Sequence, residues 1–192
     1  MKIALEDMVL NEEGSVESTA FYATLVVDGV QVGFAGNGGR GEPTFYRSNN
    51  AAGQRLIRAV ELYCASLPPK VYPPARPQDR PVIVQMNLTV FIDELVFDHL
   101  VRQDLDSFNR VLEAEMVHGI IFGIPGREFQ AMRYVMPIGT LCRHRQGREM
   151  MKRDIHAKVL PLLREGRVIL NKNVPERVKV FFELPVGAWV VI

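Results

Sequence analysis

Glycine stands at positions 36, 38, 39 and 41 in the stretch GFAGNGGRGEPTFY, residues 33–46, around Asn37 and Arg40. Glycine reaches the positive-φ conformations in which successive backbone N–H groups converge on an anion, and a guanidinium beside them adds charge. Gly36, Gly38, Gly39, Arg40 and Gly41 are therefore a candidate phosphate-binding loop. The run also matches G-x-G-x-x-G. That fingerprint binds a dinucleotide when its third glycine opens a helix, whereas Glu42-Pro43-Thr44-Phe45-Tyr46 continues as strand. A Walker A loop needs Lys and Ser/Thr after its glycine, and Gly41 is followed by Glu42. A kinase would need H-R-D and D-F-G further on, and neither occurs. The simpler reading is a wide hairpin connection in which glycine relieves crowding.

A second chemistry lies in CRHRQGREMMKR, residues 142–153. Arg143, Arg145, Arg148, Lys152 and Arg153 form a basic patch suited to nucleic acid or another phosphate ligand. The competing reading sets it against the acidic stretch 85–115, which carries Asp93, Glu94, Asp98, Asp104, Asp106, Glu113 and Glu115. Opposite charges on two helices then balance within the chain or between subunits. No aromatic residue interrupts residues 138–164, which argues against a base-stacking platform.

Metal chemistry is poorly supported. Glu115 and His118 make one E-x-x-H at helical spacing, half of a di-iron carboxylate site, without a second copy. Cys142, His144 and His156 lack the paired ligand spacing of structural zinc sites. No metal or cofactor is expected. Nucleophile elbows and zinc-protease motifs are also missing, so the sequence leans away from an enzyme.

The elements that must position these residues follow from pattern. Asp28-Gly29 between AFYATLVV (20–27) and VQVGFA (30–35) signals a tight hairpin. Thr44-Phe45-Tyr46 supplies a third strand and residues 2–10 a fourth. Residues 50–66 place Leu56, Ile57, Val60 and Cys64 at helical spacing. Residues 67–81 contain six prolines and read as a polyproline connection, with a P-x-x-P match among Pro73, Pro74 and Pro77. Asn87 or Thr89 caps a long helix bearing Ile92, Leu95, Val96, Leu100, Val101, Leu105, Phe108 and Leu112, ended by Gly119. A hairpin follows, turned at 124–127, then a helix over 147–164 kinked by Pro161. Strands are expected at 167–171, 177–184 and 188–192. The apolar end, Trp189, Val190, Val191 and Ile192, would offer an unpaired edge to a second copy or partner.

The fold class is α+β. The expected parts are a meander plus helix at 1–66, a proline-rich linker at 67–81 and an α+β unit of two helices with antiparallel strands at 82–192. Composition agrees with a folded chain: 192 residues are 47% hydrophobic and 23% charged, with net charge +1. Two cysteines without C-x-x-C spacing fit buried thiols, and Glu6 and Asp7 interrupt any signal peptide, so a cytoplasmic protein without a membrane span is expected.

The hairpin AFYATLVVDGVQVGFAGNGGRG, with the aromatic strand and helix after it, resembles small accessory proteins of phages and mobile elements. The resemblance covers residues 19–66, with a fainter echo in the long helix and in Ile169-Leu170-Asn171. It implies a protein that acts by binding host factors, including components of antiviral defence, in the host cytoplasm. The favoured expectation is a non-enzymatic, homo-oligomeric protein binder. The alternative is a binder of nucleic acid or a phosphorylated small molecule such as a nucleotide.

Overall fold

A computed structural model describes residues 1–74, 76, 78–164 and 166–190. The chain is α+β and divides into two compact units, Met1–Val101 and Arg102–Ile192. The division falls inside a helix, beyond the proline-rich stretch expected to separate the halves.

In the first unit, strands β1 (Ile3–Leu10), β2 (Phe21–Val27), β3 (Val30–Asn37) and β4 (Phe45–Ser48) form an antiparallel meander in sequential order. Asp28 and Gly29 turn β2 into β3 with φ of 49° and 82°, the pair of positive angles that a type I′ turn requires. Alternation along β2 sends Phe21, Ala23, Leu25 and Val27 into the core and leaves Tyr22 exposed. Helix α1 (Ala51–Ala65) starts where Asn50 Oδ1 accepts the Gly53 N–H at 2.8 Å. It buries Ile57, Val60 and Cys64 on the sheet, but Leu56 turns outward.

The proline-rich segment is not a plain linker. Strands β5 (Lys70–Tyr72) and β6 (Val82–Val84) pair antiparallel across it, with Val71 opposite Ile83. The prolines flank these short strands without entering them, so no ladder donor is lost. Pro77 of the P-x-x-P match lies outside the described residues. Helix α2 (Leu88–Met116) follows, its first turn capped by Asn87 Oδ1 on the Val90 N–H at 2.9 Å. Leu88, Ile92 and Val96 from its first half complete the core of the first unit.

In the second unit, β7 (Gly119–Ile124) is the centre of a three-stranded sheet, flanked by β8 (Glu128–Arg133) and β9 (Val168–Ile169). Its run GIIFGI is apolar throughout because both faces are covered. Ile120 and Phe122 enter one cluster with Ile138, Met151, Ile155 and Phe182, while Ile121 meets Leu112, Met116 and Leu170. Helices α3 (Ile138–Arg143) and α4 (Arg145–Asp154) precede a π-helical turn, Ile155–Val159, and a 3-10 turn, Leu160–Leu162. The single helix expected over 147–164 is thus broken in register before Pro161, which has no N–H with which to continue the α ladder.

Two expected strands are corrected. Residues 177–184 are mostly helix α5 (Glu176–Phe181), because Val178 and Phe182 are buried at a spacing of four while Val180 is 75% exposed, which a strand face could not allow. Residues 188–190 form no ladder beyond one bridge from Trp189 to Ile169. No helix among the described residues is long and apolar enough to cross a membrane.

Candidate functional site

The glycine loop is built around Asn37, whose side chain is buried at the end of β3. Its Oδ1 accepts from Ser18 Oγ at 2.9 Å and from the Gly39 N–H at 2.8 Å. Its Nδ2 donates to the Glu42 carbonyl at 2.9 Å and to Thr44 Oγ1 at 3.3 Å. The Gly39 carbonyl in turn receives the N–H groups of Val16, Glu17 and Ser18 at 2.9, 2.9 and 3.3 Å. A Cβ on Gly39 would fall 2.2 Å from the Gly14 carbonyl oxygen at φ +86°, so this glycine is required by close approach and by backbone conformation.

The loop's anion site is filled from within. The Arg40 N–H donates to Glu42 Oε2 at 3.0 Å, and backbone N–H groups of the loop hold the Glu42 carboxyl below its ordinary range, its own amide contributing most. Arg40 itself points to solvent. Thr44 passes the network outward by donating its hydroxyl to Asp93 on α2.

The basic segment is likewise partly committed. Arg148 donates to the Cys142 and Arg143 carbonyls at 3.0 and 3.2 Å and lies 5.8 Å from the Phe181 ring centroid. Lys152 pairs with Glu183 at 2.8 Å and covers the same ring at 5.3 Å. Arg143, Arg145 and Arg153 remain exposed, Arg153 within 3.8 Å of Asp154. At the C-terminal end, the Trp189 ring stacks on Phe182 and Val190 donates its N–H to the Ile169 carbonyl at 2.9 Å. Val191 and Ile192 lie outside the described residues.

Glu115 holds Arg133 in a fork at 2.7 and 2.8 Å, so the E-x-x-H carboxylate has a cation of its own. His156 Nε2 donates to the Phe182 carbonyl at 2.6 Å, while Cys142 is buried and its thiol pushed up by that burial. Among the described residues, no three His, Cys, Asp or Glu side chains stand close enough to share a metal ion.

A different surface sets exposed apolar side chains beside carboxylates. Opposed residues of an antiparallel pair share a face, so Lys70, Tyr72, Val82 and Val84 lie on one side of the β5–β6 hairpin and Val71 and Ile83 on the other. The first side stands over α2, where Lys70 pairs with Glu94 and the Tyr72 hydroxyl donates to Glu94 Oε1 at 3.0 Å. Between them runs a groove of about 500 Å³, walled by Tyr72, Val84, Val90 and Phe97 and edged by Asp93, Glu94 and Asp98. A second cleft of about 340 Å³ adjoins it at Asp93 and Phe97 and adds Glu42 and Thr44. Partial burial raises the Asp93 carboxyl above its ordinary value, against the opposing effect of the Thr44 hydroxyl.

Sequence reasoning passed over this surface. Its signal was the pair of β-branched runs, KVY and VIV, on either side of the prolines, together with Phe97, which lies off the buried stripe of α2. In comparison with known proteins, no family, no curated protein and no solved structure matches this chain.

Proposed function

We propose that this chain is a non-enzymatic binding protein whose grip on another protein is the β5–β6 hairpin with the adjoining ring of Phe97. The observation that carries the reading is the clustering of large apolar side chains in solvent. On the side of the hairpin that stands over α2, Val82 is 59% exposed and Phe97 of the helix 65%, while Val71 at 59% and Ile83 at 62% lie on the hairpin's other face. Single exposed apolar residues are ordinary, whereas a group of them on adjacent elements is the usual mark of a docking surface. A hairpin with three residues per strand is marginal alone, and the contacts of Lys70 and Tyr72 with Glu94 hold this one in place.

The resemblance of residues 19–66 to accessory proteins of phages and mobile elements supports a host protein as the partner, with a component of antiviral defence as the specific case. The phosphate-binding alternative is less well supported, because Glu42 already occupies the backbone amides that an external phosphate would need.

The test is site-specific photocrosslinking in expressing cells, with the reactive residue at position 82, on the groove side of the hairpin, and, as a control, at exposed Tyr22. A discrete adduct from position 82 alone, lost on Phe97→Ala, is expected. Equal adducts from both positions, or none, would end the reading. An adduct of twice the chain mass would identify the homo-oligomer expected from the sequence.

A further inference from the structure

We infer that the groove between the β5–β6 hairpin and the first half of α2 receives a segment of the partner protein that carries arginine or lysine beside aliphatic or aromatic residues. This rests on the protein-binding reading above and names what the groove selects.

Charge decides the sign of the occupant. Asp93, Glu94 and Asp98 edge the groove and Glu42 lies in the adjoining cleft, whereas Lys70, the one cation in the lining among the described residues, is already paired with Glu94. Asp93 receives only the Thr44 hydroxyl and has no cationic partner among the described residues. A guanidinium entering here meets Asp93 and Asp98 beside the apolar walls of the groove, where a charge pair is less screened than in open water.

The walls decide the rest. Tyr72 and Phe97 present rings to the space, and Val84 and Val90 present aliphatic surface. An arginine stem can lie along such walls with its head over an aromatic face, and a neighbouring apolar side chain would bury the solvent-facing ring of Phe97. A free metal ion or a small polyamine would leave that apolar surface uncovered. On α2 the contributing positions are 90, 93, 94, 97 and 98, one continuous face of the helix, so carboxylates and apolar groups are read together along one line.

The test uses the full chain and two labelled synthetic peptides, followed by fluorescence anisotropy. One peptide alternates arginine with leucine and phenylalanine, and the other replaces each arginine with glutamate. The arginine peptide should bind and the glutamate peptide should not. Asp93→Asn with Asp98→Asn should weaken binding by about tenfold or more, and Phe97→Ala by a similar factor. Asp104→Asn with Asp106→Asn removes the same charge elsewhere on α2 and should leave binding unchanged, with circular dichroism confirming that every variant folds.

Equal binding of the two peptides, or equal losses from the two acid pairs, would overturn the inference. Self-association abolished by Asp93→Asn with Asp98→Asn would make the occupant a second copy and overturn it as well. A crosslinked partner at position 82 that survives those substitutions would reject the groove while leaving the protein-binding reading standing. Groove-dependent peptide binding without any crosslinked partner would do the reverse.

Discussion

The glycine loop and the β5–β6 hairpin belong to the same unit and handle their side chains in opposite ways. The loop is rich in polar groups and turns them inward: Asn37 makes four hydrogen bonds and Glu42 takes the loop's own amides. The hairpin is rich in β-branched residues and turns them outward, leaving Val71, Val82 and Ile83 more than half exposed. The two meet at Asp93, which the loop supports through Thr44 and the hairpin groove exposes. A motif can therefore be fully spent on holding a neighbouring site, while a segment with no motif carries the free surface.

The largest effect that would sharpen this contrast is Asn37→Ala. It orphans the loop's buried donors and acceptors, and urea unfolding should show a loss of about 3 kcal/mol. A loss within experimental error would mean that the loop is not organised around this amide.

Acid titration of Glu42→Gln gives the next effect. Folding lowers the Glu42 carboxyl from an ordinary 4.5, so its contribution is complete above that pH and disappears as pH falls through the lower folded value. Wild type should exceed the variant in stability at neutral pH, and the difference should shrink below pH 4.5. A constant difference across that range would place the carboxylate outside the loop's amides.

Asp93 has the opposite sign. Burial raises its carboxyl above an ordinary 3.8, so folding favours the protonated form and stability declines as pH rises through that window. Asp93→Asn keeps an acceptor for Thr44 and should raise Tm at neutral pH by about 1 °C, with no gain near pH 3. A fall in Tm at neutral pH would show that the carboxylate is a structural partner rather than an exposed docking group.

The smallest effect is expected in the hairpin. Val71→Ser with Ile83→Ser should change stability by about 0.5 kcal/mol or less, since neither side chain is buried. A cost near that of Asn37→Ala would break the comparison, because the outward face would then be part of the core.

Much of the first unit was legible in the sequence. Asp28-Gly29 specifies its turn by backbone conformation, and Asn50 and Asn87 mark helix starts by capping, signals that act within a few residues. The second unit relied on contacts that local pattern does not encode. The alternation Val178, Val180, Phe182 suits a strand, yet burial of Val178 and Phe182 against the unit's core selects a helix. Asn171 gave no hint that its amide would pair with β7 beyond β9, accepting from the Ile121 N–H at 2.6 Å and donating to the Gly119 carbonyl at 2.8 Å. The candidate site was hidden for a related reason: prolines around residues 70–84 suggested a spacer, and the pairing that joins their flanks spans the intervening loop.

Trp189 is the chain's only tryptophan, stacked 6.2 Å from Phe182 with the Lys179 ammonium 5.3 Å from its ring centroid. Its emission therefore reports on the second unit alone. Tyr22, Tyr46, Tyr63 and Tyr72 all lie in the first unit, so tyrosine absorbance is weighted toward the other half. One unlabelled sample, followed at two wavelengths during a single melt, shows whether the halves come apart together or in sequence.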